Sequence, residues 1–167
     1  MLFRSALVGS WVALAGGVYP NLAPALAATL GALQAQLPVA DATHASLVHR
    51  DFYDKQVLVG SSTIGLLDLD TACLGDGEID VANFSAHLAL RALQSQAAVE
   101  AFRPLREQFV EAYAAHRPAT NMRLVTWYRA SALLRLACIY ALRPWWHTLA
   151  PRLIDESSRV LDAKEGS

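Results

Sequence analysis

The sequence predicts a mainly α fold of the α+β class: a helical bundle carrying one small β-hairpin, in a single domain over residues 1–167. Three observations lead there. From Val81 to the C-terminus apolar residues recur at helical spacing, with Pro118 and Pro144 as boundaries. Two short apolar runs, Val57–Val59 and Ile64–Leu67, flank Gly60-Ser61-Ser62, the pattern of a small antiparallel hairpin. Near the N-terminus Leu22, Leu26, Leu30, Leu33 and Leu37 fall three and four apart, on one helical face.

Residues 5–40 carry no charge. Arg4 followed by Ala6-Leu7-Val8 and Trp11–Ala15 has the look of a signal peptide, with Ala25-Leu26-Ala27 as a cleavage-like site. Gly16, Gly17, Pro20, Asn21 and Pro24 interrupt the run before the ~18–20 apolar residues that a membrane span needs. The favoured expectation is a buried segment, then a helix over about Leu22–Gln36; a secreted helical protein with a cleaved N-terminus is the competing one. A short linker, Pro38 to Thr43, leads into the hairpin region. Further helices are expected near Val81–Gln94, Ala97–His116, Asn121–Ala141 and Trp145–Leu161.

A chain of 167 residues is about one domain in length. With 54% hydrophobic and 17% charged residues it is not a disordered chain. A net charge of −1 gives no reason to expect nucleic acid or a membrane as partner. The charges are unevenly placed. Seven of the fifteen acids lie between Asp51 and Asp80, whereas Ala112 to Ile154 holds six arginines and no acid. Arg117, Arg123, Arg129 and Arg135 are spaced by six, which does not keep them on one helical face. With Arg143 and Arg152 they read as surface arginines with stems packed on the core. Trp127, Tyr128, Trp145 and Trp146 read as core before acceptor pocket. Cys73 and Cys138 form no CxxC pair, so two buried thiols in a reducing, cytoplasmic setting are expected.

The hairpin has a chemical consequence. If Val59 pairs near Ile64 and Val57 near Leu66, Gln56 enters one strand where Asp68 leaves the other. Their side chains then meet at the open end. A carboxylate with an amide oxygen, leaving room for waters and phosphate oxygens, suits Mg²⁺. Asp51, five residues before Gln56, sits in a turn that projects toward the same spot, where a carboxylate can orient a hydroxyl and accept its proton. Two other metal readings fail. A calcium loop starting at Asp68 would put Cys73 at the required Gly and Ile79 at the required Glu. His44 and His49 are five apart, and no HExxH is present.

His49-Arg50-Asp51 with Gln56 resembles the catalytic loop H-x-D-x-x-x-x-N of the protein-kinase-like superfamily. The run HRDFYDKQVLV…GLLDLDTACLGDGEIDVANFSAHL, about His49 to Leu88, resembles the aminoglycoside phosphotransferase/choline kinase family. There the pattern is H-x-D-x-x-x-x-N-h-h-h, then h-I-D-h-[DE], then G-D-x-x-x-D-h-A. The resemblance implies the C-terminal lobe of a protein-kinase-like fold, with its motif core at 49–88. It also implies transfer of a phosphoryl group from ATP, with Mg²⁺, to a small-molecule hydroxyl. Carried over, Asp51 is the catalytic base and Asp68 a metal ligand; Gln56 stands where the family has its second metal ligand, Asn. His49 braces the loop, Asp70 either supports a metal ligand or contacts the metal itself, and Asp80 clamps the loop through its backbone amides. The family often has Gly where this chain has Arg50, and Lys55 reads as a solvated turn residue.

A complete kinase of this family also has a glycine-bearing hairpin and a strand lysine that grip the nucleotide. The 48 residues before His49 contain no lysine and no GxGxxG, and Lys164 is near the C-terminus. The expectation is therefore a C-terminal lobe with weak or absent ATP turnover by itself. The alternative is a non-catalytic kinase-like binding protein or fragment that acts through a partner chain. The uncharged stretch 5–40 is expected to be covered, by a second copy in a homodimer or by another chain.

Overall fold

Prolines open three of the helices, in the first turn where a missing N–H costs nothing: Pro24 in α2 (Ala23–Ala35), Pro104 in α4 (Arg103–His116) and Pro151 in α6 (Ala150–Asp162). The structure, a computed structural model, describes residues 2–38 and 45–163. From residue 39 on, the expected linker Pro38–Thr43 lies outside the described residues, as do His44 and Lys164. The chain forms two units, Met1–Val39 with Thr126–Ser167, and Ala40–Val125.

The first unit is helical: α1 (Leu2–Val18), α2, the part of α5 (Met122–Ala141) from Thr126 on, and α6. The segment expected to be buried before Leu22 is instead the helix α1, and only one face of it is covered. Val8, Val12 and Ala15 are buried, whereas Leu7, Leu14 and Val18 are 46%, 51% and 53% exposed. Gly16 permits the tight passage into α2, because a Cβ there would stand 3.3 Å from Cβ of Ala23. Among the described residues no helix is long and apolar enough to cross a membrane.

Leu26, Thr29 and Leu33 form the inner face of α2. Trp127 Nε1 donates to the Leu33 carbonyl at 2.8 Å, satisfying a helix-end oxygen with no partner of its own in the helix. Ser157 Oγ reaches the Ala130 carbonyl at 2.8 Å, and the Thr29 and Ser158 hydroxyls meet at 2.9 Å. Arg129 is not a solvated surface arginine: its Nη2 lies 2.6 Å from Oε1 of Glu156, with both side chains largely buried, and Arg159 engages the other oxygen. Trp127 and Tyr128 are core, as expected. Trp145 and Trp146, at 89% and 38% exposure, lie on the turn between α5 and α6 and are not.

All strands among the described residues lie in the second unit. β2 (Val57–Val59) pairs antiparallel with β3 (Ile64–Leu66) in the register Val57↔Leu66, Val59↔Ile64, as the apolar runs predicted. A second ribbon was not foreseen. β1 (Ser46–Val48) pairs antiparallel with β4 (Cys73–Gly75), Val48 opposite Cys73 and Ser46 opposite Gly75. Its strands of three residues are too short to show alternation. α3 (Glu78–Gln94) starts three residues earlier than its periodicity suggested, and α4 follows a 3₁₀ turn at Val99–Phe102. Phe84 of α3 lies 5.3 Å from Phe52 and 4.4 Å from Phe109 of α4 between ring centroids, an aromatic cluster that ties the loop after β1 to both helices. Buried Glu78 accepts the Asn121 N–H at 3.1 Å, and Asn121 Oδ1 in turn caps the N–H groups of Arg123 and Leu124.

Candidate active site

The loop from His49 to Gln56 leaves β1 and enters β2. Arg50 adopts φ 72°, in the left-handed region. A left-handed residue beside an ordinary one points successive amides the same way and makes a small anion cradle. Asp80, in the first turn of α3, fills it: Oδ2 accepts the His49 N–H at 2.6 Å and Oδ1 the Arg50 N–H at 2.8 Å. The helix N-terminus favours the same charge. The buried His49 ring donates through Nε2 to the Leu67 carbonyl at 2.7 Å, and the Thr71 hydroxyl donates to the His49 carbonyl at 2.9 Å. The loop is thus held to α3 on one side and to the segment after β3 on the other.

At the open end of the hairpin the ladder is extended by Leu67 N–H on the Gln56 carbonyl, 2.9 Å. There Nε2 of the buried Gln56 donates to Oδ2 of Asp68 at 3.2 Å. Asp68 is exposed and itself left-handed, φ 58°. Asp51 is half-buried in the loop. Burial pushes the Tyr53 phenol above its usual pKa; the carboxylates of Asp51, Asp54 and Asp68 push it the same way, and Arg91 opposes them. The charge of all three carboxylates is thus felt at the Tyr53 hydroxyl. Asp70 is exposed on the 3₁₀ turn Leu69–Thr71, outside the Gln56–Asp68 contact, and Lys55 is an exposed residue of the 3₁₀ turn Asp54–Gln56.

Three residues of the site escaped the sequence reading, all on α3. Asn83 Nδ2 donates to the Phe52 carbonyl at 2.9 Å. The His87 ring stacks on Tyr53 at 4.4 Å between centroids. Arg91 grips Asp54 with two nitrogens, Nε to Oδ2 at 2.9 Å and Nη2 to Oδ1 at 3.1 Å. The only signal available was their spacing of four, which on an amphipathic helix looks like an ordinary polar stripe.

Among the described residues no group of three or more His, Cys, Asp or Glu side chains is placed to hold a metal ion. A carboxylate paired with an amide is a smaller donor set, suited to a cation that takes its remaining ligands from phosphate and water. Two neighbouring ligands on an octahedral Mg²⁺, each ~2.1 Å from the ion, stand ~3.0 Å apart. The Gln56 amide terminus and Asp68 Oδ2 already have about that spacing. Turning the amide over would present its oxygen in place of the nitrogen, giving the pair two oxygen donors that could take such an ion.

A family model described as the phosphotransferase enzyme family matches residues 3–133. The chain belongs to this family. No curated protein and no solved structure matches it. The match takes in the loop, the hairpin, α3 and α4, so Asp51, Gln56, Asp68 and Asp80 all fall within the family region. It agrees with the aminoglycoside phosphotransferase/choline kinase resemblance of the motifs between His49 and Leu88.

Proposed function

We propose that this phosphotransferase moves the terminal phosphoryl group of ATP to a hydroxyl of a small molecule, with Asp51, Gln56 and Asp68 at its centre. The observation that supports this most is the Gln56–Asp68 contact of 3.2 Å beside a loop fixed by Asp80. Asp68 and Gln56 would hold Mg²⁺, which when bound neutralises charge on the donor phosphates. The Asp51 carboxylate accepts a hydrogen bond from the acceptor hydroxyl and aims its oxygen at the γ-phosphorus. As the new P–O bond forms, the bond from phosphorus to the bridging oxygen breaks and its electron pair leaves with ADP. The hydroxyl proton passes to Asp51 late in the transfer. Asp80 and His49 touch neither substrate; they keep the loop in place.

One observation favours a second reading. Gln56 stands where the resemblance calls for Asn, and its extra methylene displaces the donor at a site that tolerates little error. On that reading the chain binds nucleotide, or a partner chain, without turnover. Incubation with radiolabelled Mg²⁺-ATP and a panel of hydroxyl compounds separates the two. Labelled product that disappears in Asp51→Asn supports transfer; nucleotide binding with no product from any acceptor supports the second reading.

A further inference from the structure

We infer that one face of α3 is a positioning rack for the loop that carries Asp51, and that Arg91 is the member that sets Gln56 against Asp68. This rests on reading Asp51, Gln56 and Asp68 as the reaction centre. Asn83, His87 and Arg91 are spaced by four, so they lie above one another on a single helical face. They hold three successive loop residues: Asn83 the Phe52 carbonyl, His87 the Tyr53 ring and Arg91 the Asp54 carboxylate. With Asp80 at the start of the same helix, His49, Arg50, Phe52, Tyr53 and Asp54 each have a grip on α3, Phe52 by its carbonyl and by its ring on Phe84.

The last grip differs from the others in kind. Arg91 presents a planar fork, whose match to a carboxylate fixes direction as well as distance. Its Nη1 donates to Oε1 of Gln94 one turn on, at 2.6 Å, so the fork itself is held. Asp54 is also the first residue of the 3₁₀ turn Asp54–Gln56, closed by the Gln56 N–H on the Tyr53 carbonyl at 2.9 Å. A three-residue turn has almost no slack, so the direction of Asp54 sets where Gln56 emerges. Arg91 thus acts on the Gln56–Asp68 contact across two residues without touching either partner. It is a positioning residue.

The test uses the full chain and two variants, Arg91→Met, which keeps the stem and drops the fork, and Arg91→Lys, which keeps the charge and drops the fork. Exposed Arg103 on α4, as Arg103→Met, is the control. Amide hydrogen exchange reads the Gln56 N–H, and electron paramagnetic resonance reads Mn²⁺ binding. Loss of the fork should speed Gln56 exchange by about tenfold and weaken Mn²⁺ binding to a similar extent, with Arg91→Lys closer to Met than to the parent. The charge-exchanged pair Asp54→Arg with Arg91→Asp should recover part of the protection. Unchanged Gln56 exchange in folded Arg91→Lys overturns the inference. If the parent chain binds no Mn²⁺, the reading of the metal site fails, and the exchange data still decide whether Arg91 positions Gln56.

Discussion

Asp80 and His49 are joined by a 2.6 Å hydrogen bond, carboxylate to backbone amide, across 31 residues of sequence. The second oxygen takes the next amide, so one side chain fixes the peptide that leads into Asp51. Asp80→Asn keeps the size but turns one acceptor into a donor facing an N–H. We expect a loss of about 2 kcal/mol in urea unfolding, the scale of a charge-assisted hydrogen bond left unmade. An unchanged urea midpoint would show that the clamp carries little stability.

Gly77 leaves room for neighbouring side-chain ends and is not needed by the backbone, since its φ of −58° suits any residue. A Cβ there would overlap Oη of Tyr113 and come within 2.9 Å of Ser46 Oγ. Gly77→Ala should cost about 1–3 kcal/mol by overpacking. Tyr113→Phe removes the overlapping oxygen, so the double variant should be more stable than Gly77→Ala alone. Simple addition of the two losses would contradict this account.

Arg50 holds a left-handed backbone that costs a non-glycine residue about 1–2 kcal/mol. Arg50→Gly should therefore be neutral or slightly stabilising, the relief of strain offsetting the greater freedom of the unfolded chain. Arg50→Val, branched at Cβ, should destabilise. Thermal melts of the two variants check the order.

Burial pushes the Cys138 thiol up to about 11, whereas Cys73 is only half-buried. The native chain should react with a thiol reagent at Cys73 and not at Cys138. Below pH 9, the ordinary thiol value, Cys138 contributes its full share of stability. Because the unfolded chain ionises first, that share is lost as pH rises from about 9 to about 11. Urea titrations of Cys138→Ala and its parent at pH 8 and pH 10 should differ by less at the higher pH.

How much of this was legible follows from the range of each signal. The hairpin and the meeting of Gln56 with Asp68 could be read because both lie within a sequence separation of twelve, with a turn between them. The grips of Asn83, His87 and Arg91 join positions more than thirty apart, and nothing in a polar stripe says what it faces. Local propensity argues against α1, since Gly9, Gly16 and Gly17 each weaken a helix, and packing of Val8, Val12 and Ala15 overrides that cost. Arg129 looked solvated because its partner Glu156 lies 27 residues on.

The proposed centre is tested most directly by calorimetric titration of the chain with Mg²⁺-ATP, alongside Asp68→Ala. The account predicts binding that requires the metal and is abolished by the substitution. Binding that survives Asp68→Ala, or that proceeds equally well in a chelator, would contradict it.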